Sequence, residues 1–157
     1  MTSQQPPTID FFAREALPAP QVSAGEARRI AERLGITANV EPLGSQQDAN
    51  FLLRGKDGAA LAVLKIANPA FGASEIEAQD EAADLLAASR PELRIAAAIV
   101  KTGSGPATAR LLRHLPGGTL SGSRHLPPRS SAAMGAIAGR VSAALRDFRH
   151  PGLDREL

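Results

Sequence analysis

Two apolar runs, at residues 50–54 and 60–67, flank a short segment containing Lys56-Asp57-Gly58. An Asp-Gly pair in that setting supplies the left-handed backbone that a tight hairpin needs. The chain is thereby bound to an antiparallel pair, and the remaining elements have to be built around it. The second arm reads Leu61-Ala62-Val63-Leu64-Lys65-Ile66-Ala67, apolar throughout except for Lys65. Of the 18 basic residues only three are lysines, so this one is not background composition. A strongly hydrated ammonium on such a strand needs an exit to water or an anion beside it.

At 157 residues the chain can bury one core, as a single domain or as one lobe of a larger enzyme. It holds five Phe and no Trp or Tyr, a poor basis for stacking single-stranded bases. Net charge is +2, with arginines interleaved among Asp and Glu, which argues against nucleic acid as the main partner. The absence of cysteine excludes disulfides, thiolate zinc sites and thiol nucleophiles. Without a leader-like segment or an apolar run of spanning length, the expected setting is cytoplasmic, with no membrane partner.

Residues 8–17 form an amphipathic helix candidate that Pro18 and Pro20 end. Ser23-Ala24-Gly25-Glu26 has capping-box spacing, and Gly35 is the expected stop of the helix that follows. These first 36 residues read as a helical extension. Strands are expected at 37–43, 50–54, 60–67, 95–102 and 107–115. Ser74-Glu75-Ile76-Glu77 reads as a second capping box, with Glu77 closing it and the helix running to about Ser89. A proline-rich linker leads to a last helix from Ser130 or Ser131 to about Phe148. This order predicts an α+β fold: a five-stranded, mostly antiparallel sheet with one packed helix, an N-terminal helical extension and a C-terminal helix.

No phosphate loop of the Gly-x-x-x-x-Gly-Lys-Ser/Thr type occurs, and Gly103-Ser104-Gly105 reads as a hairpin turn. His114, His125 and His150 lack metal-ligand spacing and read as structural or exposed. Three features remain around Lys65. The loop Gly44-Ser45-Gln46-Gln47-Asp48 is small and polar and could fold over a phosphate, though alone it is an ordinary hairpin loop. Glu81, a turn into the helix, could pair with a lysine projecting from the sheet, though alone it would be solvated. Together, loop, strand lysine and helix glutamate are the phosphate-holding parts of a kinase nucleotide lobe.

The motifs Gly44-Ser45-Gln46-Gln47-Asp48-Ala49-Asn50-Phe51, Val63-Leu64-Lys65-Ile66-Ala67-Asn68 and Gln79-Asp80-Glu81-Ala82 resemble the aminoglycoside phosphotransferase-like family of small-molecule kinases. So do Arg110-Leu111-Leu112-Arg113-His114-Leu115-Pro116-Gly117 and Phe148-Arg149-His150-Pro151, in the family's order. The likeness is nearest to the hydroxylysine kinase branch and to kinase segments fused to class III aminotransferases. It implies a protein-kinase-like nucleotide lobe at 37–118, followed at 119–157 by a linker and the first helix of a C-terminal lobe.

By that resemblance Lys65 holds the ATP phosphates, Glu81 is its helix partner, and Ser45 and Gln46 position the nucleotide. His114 and Leu115 fall in the hinge that binds adenine through backbone groups. ATP and Mg²⁺ are the implied cofactors, and the acceptor a small hydroxylated amine or amino acid. The resemblance implies that the family's Asp base and magnesium ligands would fall beyond residue 157; Asp147 and Asp154 lack the His-x-Asp-x-x-x-x-Asn setting. The expectation is therefore an ATP-binding lobe without turnover of its own, whose exposed C-terminal helix could drive self-association. The rival expectation is a non-catalytic binding or regulatory module on the same fold, such as the N-terminal domain of an aminotransferase fusion.

Overall fold

The structure is a computed structural model that describes residues 20–44, 47–102, 108–118 and 125–154. The helix expected at 8–17, the Gly103-Ser104-Gly105 turn, Ser45 and Gln46 lie outside the described residues.

The hairpin forms as its sequence demands. Strands β2 (Ala49–Arg54) and β3 (Ala60–Ile66) pair antiparallel, with Asn50 opposite Lys65. Gly58 takes φ +80°, the Gly55 N–H donates to the Ala59 carbonyl at 2.9 Å, and the Asp57 carboxylate accepts the Ala59 N–H at 3.0 Å. Those left-handed and side-chain-capped positions are what Asp-Gly supplies.

Strand β1 (Asn39–Leu43) pairs with β2 at one edge of the sheet, where Pro42 can be accommodated. Strands β4 (Ala98–Lys101) and β5 (Ala109–Arg113) complete the order β1-β2-β3-β5-β4. All four pairings are antiparallel. The fold is α+β, with the five-stranded sheet of a kinase-like nucleotide lobe.

Helix α1 (Ala24–Arg33) covers one face of this sheet. Its capping box is as expected: the Ser23 N–H donates to the Glu26 carboxylate at 2.9 Å, and the Glu26 N–H to the Ser23 hydroxyl at 3.2 Å. The Ser23 hydroxyl, donating to Glu26 Oε2 at 2.7 Å, and then the Ser23 N–H hold the Glu26 carboxyl below the usual carboxylate range. Gly35, at φ +88°, ends the helix, and the Ile36 N–H closes back on the Ala31 carbonyl at 2.9 Å. Ala27 and Ala31 are fully buried against Phe51, Leu53, Leu64 and Leu111. Small residues on the inner stripe let the helix lie close to the sheet. Helix α1, within the expected extension, is thus a layer of the core.

Helix α2 (Ala73–Ser89) starts one residue before the expected box. Gly72 is its N-cap and Glu75, not Glu77, reaches back to accept the Gly72 N–H at 2.8 Å. The spacing that mattered was Gly72 to Glu75, because the chain leaves its preceding turn at Phe71. Helix α3 (Pro128–Ala144) begins earlier and ends earlier than expected. Pro128 sits in the first turn, where no intrahelical N–H is lost, so prolines that read as linker are in fact the helix start. Helix α3 buries none of its residues, and Met134 and Ile137 stand about half exposed. A 3₁₀ turn, Pro151–Leu153, packs back on α2. No described helix is long and apolar enough to cross a membrane.

Candidate functional site

Alternation along β3 sends Leu64 and Ile66 into the α1-covered core, and Val63 and Lys65 to the opposite face. The strand register then builds two parallel rows on that second face. Leu52, Val63 and Leu112 are cross-strand partners, as are Asn50, Lys65, Arg110 and Lys101 in the next row. An apolar row therefore lies beside a cationic one, about 7 Å away for two residues of strand.

Three cations side by side would repel one another unless neutralised. Each has a carboxylate. Lys65 Nζ lies 2.7 Å from Asp48 Oδ2, at the mouth of β2. The other carboxylate oxygen of Asp48 accepts the Asn68 N–H at 3.0 Å, and the Asn68 amide donates to the Gln47 carbonyl at 2.9 Å. Arg110, 3% exposed, donates from Nη1 to Asp80 Oδ1 at 2.6 Å. Lys101 Nζ lies 3.0 Å from Asp84 and 3.6 Å from Asp80. Burial pulls the Lys101 ammonium toward neutrality, but Asp84 and Asp80 outweigh it and its pKa stands above the ordinary lysine value.

The expected Lys65–Glu81 pair is not formed. Glu81 is 61% exposed, and its Oε1 lies 3.7 Å from His150 Nε2. His150 in turn accepts the Gly152 N–H at Nδ1, 3.0 Å, and stacks on Phe148. One residue along a helix is about 100° of rotation. Asp80 is buried under the sheet, and that step carries Glu81 to the side of α2 facing Pro151–Leu153. The acids that α2 delivers to the cationic row are Asp80 and, one turn on, Asp84.

Beneath the apolar row opens a cavity of about 510 Å³. Leu52, Val63 and Leu112 form its roof, Ala96 closes one side, and His114 to Gly118 run along its edge. His114 and Leu115, expected in a hinge, lie on that edge. A smaller space of about 140 Å³ between α2 and the sheet is bordered by Lys65, Gln79, Asp80 and Arg110. Among the described residues two buried side-chain atoms lack a partner, Arg110 Nε and Asn50 Oδ1, and both residues belong to the cationic row.

Asp48, Asp80 and Arg110 carried no role in the sequence reading. Arg110 gave no such signal as Lys65 did, because β5 carries a second arginine, Arg113, and its sequence does not single out either one.

With this geometry the sequence comparison agrees: the phosphotransferase enzyme family matches over residues 39–157, well over half of the chain. The chain belongs to that family. No curated protein and no solved structure gives a significant match. The family region takes in the whole sheet, α2, α3 and the turn at Pro151–Leu153, while α1 precedes it. In this family member one face of the sheet is therefore covered by a helix from outside the matched region.

Proposed function

We propose that the chain is the ATP-binding lobe of a phosphotransferase that phosphorylates a hydroxyl of a small amine or amino acid. One observation carries the nucleotide reading: an apolar cavity edged by a backbone segment lies one row from Lys65 on the same sheet face. A planar base needs apolar walls and backbone groups at its rim, and its phosphates need a cation a few Å further on. Leu52, Val63 and Leu112 supply the walls, and the segment from His114 supplies the rim. Lys65, a compact point charge on a flexible stem, supplies the cation. The family match supports phosphoryl transfer; the acceptor class rests on the motif resemblance. Ser45 and Gln46 remain assigned to nucleotide positioning by that same resemblance. Among the described residues no group of three or more metal-ligating side chains occurs, so we assign no magnesium ligand and derive no step through the metal.

Adenosine and ATP separate the two halves of this site. By isothermal titration, Val63→Trp, which fills the cavity, should weaken both ligands at least about tenfold, the scale of roughly 1.4 kcal/mol. Lys65→Ala should weaken ATP alone. Unchanged adenosine binding in Val63→Trp would place the base elsewhere.

A further inference from the structure

We infer that Asp48 is a built-in competitor for the phosphate position, a carboxylate that satisfies Lys65 when no nucleotide is bound and must give it up for one to bind. The inference rests on the reading of Lys65 as the phosphate ligand. Asp48 Oδ2 lies 2.7 Å from Lys65 Nζ, so this carboxylate already fills the place of an anion. Its second oxygen is tied to the Asn68 N–H at 3.0 Å, so it is held there by the fold rather than meeting Lys65 by chance.

The need for such a group follows from the register. Lys65 lies directly opposite Arg110, and Arg110 opposite Lys101. Asp80 serves Arg110, while Asp84 and Asp80 serve Lys101. Lys65 takes its carboxylate from the neighbouring strand on the side away from Arg110, at the entry to β2. With nucleotide absent, removing that negative charge leaves three neighbouring cations and two carboxylates. With nucleotide present, the same charge sits beside a polyphosphate and repels it. Asp48 therefore stabilises the empty lobe and opposes the loaded one.

The test is Asp48→Asn, which keeps an oxygen acceptor for the Asn68 N–H while deleting the charge. The probe is ATP in EDTA, so that no divalent cation screens the phosphates. The variant should melt at a lower temperature than the wild type yet bind ATP more tightly, by about tenfold, the scale of one unit charge a few Å away at a partly screened site. A merely structural Asp48 would move stability and affinity in the same direction, so equal or weaker binding in a folded variant overturns the inference. If Asp48→Asn does not fold, the wild-type chain with ¹³C-labelled aspartate carboxyls decides. The Asp48 signal should shift as ATP is added, and a static signal at saturation overturns the proposal. If Lys65→Ala binds ATP as the wild type does, the phosphate reading itself fails and the competitor role falls with it. If Lys65→Ala loses ATP but Asp48→Asn gains nothing, only the competitor role fails.

Discussion

Arg110→Met should be among the most damaging single substitutions, lowering stability by about 3 to 5 kcal/mol. Arg110 is 3% exposed and bonds Asp80 at 2.6 Å, so its loss leaves a buried carboxylate with Lys101 at 3.6 Å as its remaining cation. In a chain of this size that corresponds to a fall in Tm of roughly 10 °C or more. The damage belongs to the uncompensated charge, not to the loss of an attraction. Arg110→Met with Asp80→Leu should therefore recover most of the lost stability, since a well-packed apolar pair costs little where an ion pair stood. Denaturant unfolding of the two single variants and the double variant measures this directly. Additive losses in the double variant would mean that the two side chains do not act as a pair.

Gly152→Ala should detach the Pro151–Leu153 turn from α2. A Cβ on Gly152 would collide with the Ser74 carbonyl carbon and oxygen and lie 2.8 Å from the Glu75 nitrogen. These are backbone atoms at the start of a helix, which cannot rotate aside as a side chain would. Forced overpacking of this kind costs about 1 to 3 kcal/mol. Here separation of the two segments relieves it. The expected result is faster amide exchange in the first turn of α2 and at 150–154, with exchange in β2 and β3 unchanged. Loss of docking also takes His150 away from Glu81, so Glu81→Gln should add little to the Gly152→Ala effect. Uniformly faster exchange across the sheet would contradict this local account.

Much of the fold was legible because it is written in local chemistry. Asp57-Gly58 specified the hairpin, Ser23 with Glu26 the start of α1, and Gly35 its end. The five strands were legible from their apolar runs. The start of α2 was not, because two overlapping spacings, Gly72 to Glu75 and Ser74 to Glu77, compete for one helix end and only the preceding turn decides. The site was half legible. Lys65 announced itself as a charge in an apolar strand, but its partner did not, since linear separation says nothing about helix rotation. Asp80 and Glu81 are adjacent in sequence and face different neighbours. Asp48 became visible only with the register that sets Asn50 opposite Lys65, which brings the entry of β2 beside the lysine.

If Lys65 holds the phosphates of ATP, thermal denaturation with and without Mg·ATP will register it. At a hundredfold excess over Kd the wild-type chain should gain about 2.7 kcal/mol, or roughly 5 to 10 °C in Tm. Lys65→Ala alone leaves Asp48 in the site as a repelling charge, so the decisive protein is the double variant Lys65→Ala with Asp48→Asn, from which both charges are gone. This variant should fold and lose at least half of the Mg·ATP shift. A full wild-type shift in the double variant would mean that Lys65 does not hold the phosphates.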